Sequence, residues 1–105
     1  RAISMSDPIV PDIDSLIHEP ARLRLLVLLS VLERADFMYL LKQSGMSRGN
    51  LSVQMVKLEE AGIVSMDKSL VNSRPRTTYS LSPKGRKALG QYKRNMSEVL
   101  RVLPD

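Results

Sequence analysis

The sequence has no cysteine and no tryptophan, and its one histidine is His18. Without cysteine the chain can form neither a disulfide nor a thiolate metal site, and a single imidazole excludes sites that need two. Four aromatic residues are too few to provide stacking platforms for single-stranded nucleic acid. The longest apolar run, residues 25–29, is far shorter than the roughly 18 residues of a membrane helix. We therefore expect no metal, no cofactor and no membrane partner.

Catalytic groupings are also missing from the sequence. No serine has a histidine at a plausible spacing or a glycine-rich elbow around it, and the carboxylates are scattered. We therefore expect a protein that is not an enzyme, with His18 as a cap or packing residue. Nothing near the N-terminus has the basic-then-apolar order of a signal peptide, so we expect a cytoplasmic location.

The positive charge is concentrated in one part of the chain. The net charge is +5, from 16 basic and 11 acidic residues. Residues 67–94 contain eight basic side chains and one acidic side chain, whereas residues 1–66 are close to neutral. Such a patch favours a polyanionic partner, nucleic acid first and an anionic membrane second, over a merely solubilising surface.

Caps and breakers divide the chain into elements. We expect a flexible arm over residues 1–11 and one domain over residues 12–105. Capping residues, prolines and glycines predict a short helix after Asp12 or Asp14, ending near Ile17, and four longer helices. The longer helices are predicted at residues 20–32, 37–44, 47–61 and 83–103, with Asp36, Ser47 and Ser82 as caps of the last three.

The centre of the chain has the pattern of a helix-turn-helix followed by a hairpin. Leu51, Met55 and Leu58 recur at helical spacing, and about three residues including Gly45 join their helix to the preceding one. Residues 63–71 and 77–82 are predicted strands, with a basic tip at residues 72–76. The expected fold is therefore mainly α with a small β-hairpin.

The long C-terminal helix has a second periodicity. Its apolar residues are spaced alternately three and four apart, as in a seam between two packed helices. One interpretation is a dimer interface between two subunits, and the other is packing against the first long helix of the same chain. The seam residues are Leu89, Tyr92, Met96, Val99 and Leu103.

Three motifs in the expected order resemble the winged-helix transcription regulators of prokaryotes, of the MarR and ArsR kind and their short single-domain relatives. They are HEPARLR at residues 18–24, LEEAGIV at residues 58–64 and SLSPKG at residues 80–85. The resemblance covers about residues 13–103. It implies a winged helix-turn-helix that binds duplex DNA as a homodimer and regulates transcription, as a repressor.

The resemblance also implies roles for individual residues. The third long helix would enter the major groove, and the hairpin would contact the backbone or the minor groove as a wing. The helix residues implied to contact DNA are Ser47, Arg48, Asn50, Ser52, Val53, Gln54 and Lys57. The wing residues are Lys68, Ser73, Arg74, Arg76 and Thr78. The amides of Asn50 and Gln54 are of the type that pairs with adenine edges.

Two alternatives remain open at this point. Lys84, Arg86 and Lys87 lie in the first turn of their helix, where cations oppose the helix dipole, so they are either phosphate contacts or solvated side chains. The whole domain could also be a protein–protein interaction module whose basic face meets an acidic partner.

Overall fold

The helices of the protein begin and end where local side-chain chemistry sets their limits. The computed structural model describes residues 8–105, so the first seven residues of the predicted arm lie outside the described residues. The elements are α1 (Pro20–Leu32), β1 (Ala35–Asp36), α2 (Phe37–Ser44), α3 (Arg48–Glu60), β2 (Val64–Val71), β3 (Arg74–Leu81) and α4 (Pro83–Val102).

Each helix has a side-chain oxygen that accepts a hydrogen bond from a free amide of its first turn. The caps and their donors are Glu19 with Arg22, Asp36 with Tyr39, Ser47 with Asn50, and Ser82 with Gly85. Gly45 and Gly62 follow α2 and α3 in the left-handed region, with φ of 70° and 75°. Proline is at the first position of α1 and α4, where a missing N–H leaves no hydrogen bond unmade. The four predicted long helices are confirmed.

The short helix predicted before α1 is wrong, because residues 15–17 form a single turn. The carboxylate of Asp14 accepts hydrogen bonds from the amides of Leu16, at 2.9 Å, and Ile17, at 3.2 Å. The turn does not continue because Glu19 precedes proline and is extended, with φ −143° and ψ 128°. Ile17 is nevertheless fully buried.

The core lies between α1, α2, α3 and the base of the sheet. Its largest fully buried side chains are Ile17, Leu25, Leu26, Leu29, Leu40, Leu51, Met55 and Leu58. The predicted stripe of α3 therefore faces inward along its whole length. Only one face of α1 is buried in the same way, since Val27 and Val31 on its other side are exposed.

The hairpin is longer and its turn is tighter than expected. Strand β3 lies between β1 and β2, antiparallel to both, and Val71 pairs with Arg74 across a two-residue turn. Both turn residues, Asn72 and Ser73, have positive φ, as a type I′ turn requires. The predicted five-residue tip at residues 72–76 is therefore wrong, since its last three residues belong to β3.

Pro75 is compatible with this strand for two reasons. It pairs with Leu70, next to the pair that closes the turn, and so occupies a position where antiparallel strands exchange no hydrogen bond. Strand β1 pairs with β3 only at Thr78 and Tyr79, so the other edge of β3 is free at Pro75. A proline is tolerated at such an edge position.

Helix α4 begins in a close backbone contact with the segment before β2. A Cβ at Gly85 would lie 2.0 Å from the carbonyl oxygen of Ile63, which no side chain can occupy without a backbone shift. The same carbonyl accepts a hydrogen bond from the Ser82 amide at 3.0 Å. Glycine at position 85 is therefore what lets α4 pack against this loop.

We expect Gly85→Ala to lower the free energy of unfolding by about 1–3 kcal/mol, because the added methyl overpacks a rigid backbone contact. The matched control is Gly90→Ala in the same helix, where the added Cβ meets only the flexible end of Arg94, at 3.5 Å. Gly90→Ala should be neutral or stabilising by up to about 1 kcal/mol. Urea denaturation of both variants measures the difference, and equal stabilities would contradict the packing argument.

Candidate nucleic-acid interface

The outward face of α3 is accessible because the opposite face is buried, and it carries polar side chains together with Val53 and Val56, each 51% exposed. Three residues, Gly45 to Ser47, join α2 to α3, so the two helices form a helix-turn-helix. The side chains on the outward face that are exposed are Ser47, Arg48, Asn50, Ser52, Val53 and Lys57. Gln54 is half-buried. Six of the seven predicted α3 residues are therefore accessible to a partner, and the seventh, Gln54, is accessible in part.

Gln54 differs from its neighbours because both ends of its amide are already hydrogen-bonded. Its Oε1 accepts from Nη1 of Arg22 at 3.0 Å, and its Nε2 donates to Oδ1 of Asn50 at 3.1 Å. The two predicted amide side chains therefore form one network with an arginine from α1.

Arg22 was not identified from the sequence, although it is the most enclosed cation near α3. Its side chain is 12% exposed, and its Nε also donates to the carbonyl of Leu16 at 2.5 Å. The Glu19 carboxylate lies 3.9 Å from Nη1. Hydrogen bonding from the Arg22 amide is the main cause that lowers the pKa of Glu19, so this carboxylate is charged beside the guanidinium at neutral pH. The only signal in the sequence was an arginine on a nearly all-apolar helix.

The basic side chains of the hairpin divide between its two faces. Arg74, Arg76 and Thr78 alternate along β3 and share one face, since side chains of a strand point alternately to opposite sides. Lys68 pairs with Thr77 and therefore lies on the other face. Lys68, Ser73, Arg74 and Arg76 are exposed, whereas Thr78 is half-buried between β1 and β2.

Two ion pairs connect the hairpin to the segment around β1, one of them exposed on both sides and the other with a half-buried carboxylate. Nε of Arg76 lies 3.8 Å from the Asp36 carboxylate, and Nη2 of Arg34 lies 3.6 Å from that of Asp67. Exposed pairs of this kind contribute little to stability and exchange readily for another anion. None of the ion pairs within residues 8–105 includes Arg74. Lys68 is in none of them either, so Arg76 is the one wing cation that has a carboxylate partner within these residues.

A family model of the winged helix DNA-binding domain matches residues 21–100. The chain belongs to this family. A relative from Methanocaldococcus jannaschii, described only as an uncharacterised protein, is 38% identical over 71 residues, which is 68% of this chain and 77% of that protein.

Solved structures give the same assignment. A transcriptional regulator homologue from Pyrococcus horikoshii is 28% identical, with a TM-score of 0.70 and 83% coverage of both chains. A MarR family transcriptional regulator from Silicibacter pomeroyi is 25% identical, with a TM-score of 0.64, over 79% of this chain and 55% of its own. PadR and ArsR family regulators share the fold at 21% and 18% identity. The resemblance to MarR- and ArsR-like regulators is confirmed, and the winged helix is a DNA-binding regulator domain.

In this winged helix, Lys84 has a structural partner. Its Nζ donates to the carbonyl of Ala61 at 2.9 Å, at the C-terminus of α3, where the helix dipole favours a cation. Arg86 and Lys87 are exposed without this contact. All three residues were considered as phosphate contacts. Of these, Lys84 has the capping contact as an alternative role.

The predicted seam of α4 is partly used within the chain. Tyr92 is 8% exposed, and its hydroxyl lies 2.7 Å from Nδ1 of His18, so it belongs to the protomer's own core. Leu89 and Met96 pack against the same core. Val99 is half-buried, and Leu103 is 60% exposed just beyond the helix. His18 itself is exposed, and its ring lies 5.9 Å from that of Tyr92 between centroids.

Between α1 and α4 the winged helix has an open apolar groove of about 550 Å³. Val27 and Leu100 line it and are 48% and 64% exposed. Within residues 8–105, no three His, Asp or Glu side chains are grouped to hold a metal ion. No helix of that region is long and apolar enough to cross a membrane.

We expect Asp36→Asn to strengthen DNA binding a few-fold, because it releases Arg76 and removes a negative charge beside the wing. Asparagine caps a helix as well as aspartate does, so the free energy of unfolding should be unchanged. Fluorescence anisotropy with a random duplex measures the affinity. The control is Asp67→Asn, which removes an equal charge from the hairpin without freeing Arg76. Equal affinities for the two variants would contradict a competing role for Asp36.

Proposed function

We propose that this winged helix is a sequence-specific repressor of transcription that binds duplex DNA as a homodimer in the cytoplasm and catalyses no reaction. The observation that carries the proposal is the accessible outward face of α3, with Arg48, Asn50 and Lys57 exposed, beside a hairpin with exposed arginines. B-DNA's major groove admits an α-helix, and its phosphates attract cations on either side of that helix.

Helix α3 is the proposed recognition helix. Its N-terminal residues are the first to reach base edges when such a helix enters the groove, and here they are Arg48 and Asn50. Nη2 of Arg48 lies 3.5 Å from the sulfur of Met38, a weak contact that a guanine or a phosphate can replace. Val53 is 51% exposed and suits the methyl group of thymine.

The hairpin is the proposed wing. Arg74 lies directly after the turn and Ser73 within it, so both can reach a phosphate ahead of the body of the domain. Arg76 reaches DNA by exchanging the Asp36 carboxylate for a phosphate. Lys68, on the opposite face, contacts a different part of the backbone, and Thr78, which is half-buried, contacts DNA at the base of the wing.

Two copies are proposed to pair through the end of α4 and the exposed side of α1. Val99 and Leu103 extend the seam beyond the residues that the protomer buries itself, and Val27 and Leu100 continue the same apolar surface. Two-fold symmetry would then give a palindromic site with half-sites one helical turn, about 10 base pairs, apart or a multiple of that distance.

The test of the proposed function is fluorescence anisotropy with duplexes from the chain's own upstream region. It is run at two salt concentrations, with random duplex as competitor. We expect binding that survives the competitor and weakens steeply with salt, because neutralised phosphates release counterions. Loss of all binding under competitor would contradict the proposal. Complexes with an acidic protein would then favour the interaction-module alternative.

Substitutions should distinguish the residues that contact phosphates from those that contact bases. We expect Arg74→Ala to weaken binding to every duplex and to reduce the salt slope by about one, because it removes a phosphate contact. Asn50→Ala should instead cost about 1–3 kcal/mol at particular base pairs. Anisotropy with the selected duplex and with point-substituted duplexes distinguishes the two patterns. The division of roles is wrong if both variants weaken all duplexes equally.

A further inference from the structure

We propose that Arg22 fixes the direction of the Gln54–Asn50 amide pair, so that α3 presents hydrogen-bond donors and selects guanine over adenine at the base that Asn50 contacts. This inference rests on the proposed function and specifies what the recognition helix reads. It differs from the adenine pairing that two unconstrained amides would favour.

The first step is the chemistry of Arg22. A guanidinium has five N–H donors and no acceptor, so the Gln54 atom that faces it at 3.0 Å must be the carbonyl oxygen. Arg22 cannot easily turn away, because its Nε is bonded to the Leu16 carbonyl and its side chain is 12% exposed. The Gln54 amide is therefore held in one of its two orientations.

The second step passes this orientation along α3. With its oxygen directed to Arg22, the other end of the Gln54 amide is an NH2 group, which needs an acceptor. Asn50 lies four residues earlier, one turn away on the same face, and supplies Oδ1 at 3.1 Å. The planar amide of Asn50 then has only its NH2 group directed away from Gln54, and Asn50 is exposed.

The third step is the pattern of the DNA edge. An amide reads adenine with both atoms, accepting from N6 and donating to N7, whereas guanine presents two acceptors, O6 and N7. With Oδ1 engaged by Gln54, Asn50 has two N–H donors and no oxygen directed to the groove. Guanine satisfies both donors, and adenine leaves its N6 amino group facing another donor.

The decisive variant is Gln54→Glu, which keeps the shape of the side chain. Both carboxylate oxygens accept hydrogen bonds, so one would bind Arg22 and the other would require Asn50 to turn its NH2 group inward. Asn50 would then direct Oδ1 toward the groove. We expect the preferred base at that position to change from guanine to one with an exocyclic amino donor, adenine or cytosine.

The experiment selects duplexes from a randomised library with the full chain and its variants. Asn50→Ala identifies the base pair that Asn50 reads, as the one where preference is lost. We expect the original protein to prefer guanine there by about tenfold, the range of a single good base contact. The change of preference should disappear in the double variant Asn50→Ala with Gln54→Glu, which is the matched control for the added negative charge.

The possible results distinguish failure of the proposed function from failure of the role proposed for Arg22. If the original protein selects no sequence, the proposed function fails and this inference with it. If it selects a sequence but prefers adenine at the Asn50 position, or if Gln54→Glu leaves the preferred base unchanged, only the role of Arg22 is overturned. An Asn50→Ala variant that keeps every base preference of the original protein would overturn it as well.

A measurement without DNA tests the network by itself. The side-chain amide signals of Asn50 are compared by NMR in the original protein and in Gln54→Glu. We expect one Asn50 amide proton to move downfield in the variant, because it becomes a donor to the carboxylate. Unchanged signals would contradict the proposed reversal, whatever the DNA preference.

Discussion

Burial of the apolar stripe of α3 is the constraint on which the rest of the structure depends. Leu51, Met55 and Leu58 are at most 1% exposed and belong to the same core as Leu25 and Leu29 of α1. Fully burying each such side chain is worth about 1.5–3 kcal/mol, so α3 cannot rotate about its axis without losing much of the core. The buried residues Leu51, Met55 and Leu58 therefore determine which face of α3 is exposed to solvent.

The backbone after α3 places the wing relative to this face. Ser82 donates through its hydroxyl to the carbonyls of Gly62 and Ile63, and its Oγ also caps α4. Lys84, which is also in α4, donates to the carbonyl of Ala61 at the C-terminus of α3. The end of α3, the start of β2 and the start of α4 thus meet at one junction, which fixes where the hairpin begins relative to α3.

Local signals were enough to predict most of the fold. Asp36, Ser47 and Ser82 cap helices because a short acceptor side chain can bond a free amide of the first turn. The hairpin turn was harder, because Asn72 and Ser73 adopt positive φ at a position where Pro75 suggested a longer loop. The register of β2 against β3 depends on the core below the sheet. It pairs Val71 with Arg74 and so leaves only two residues for the turn.

The residues of the candidate site could be predicted from the sequence, but the hydrogen bonds and ion pairs between them could not. The spacing of Leu51, Met55 and Leu58 is enough to place Asn50 outside the buried stripe and Gln54 at its edge, where Gln54 is half-buried. Nothing in the sequence relates Arg22 to Gln54, because they are 32 residues apart and meet only through the packing of α1 on α3. Likewise, the pairing of Arg76 with Asp36 depends on the sheet, where Asp36 lies opposite Thr78.

The central claim is that the outward face of α3 lies in the major groove, and methylation interference tests it most directly. Dimethyl sulfate methylates guanine at N7 in the major groove and adenine at N3 in the minor groove. The account predicts that N7 methylation within each half-site prevents binding, with adenine N3 methylation acting only at positions beside the wing. Interference confined to the minor groove would contradict the account.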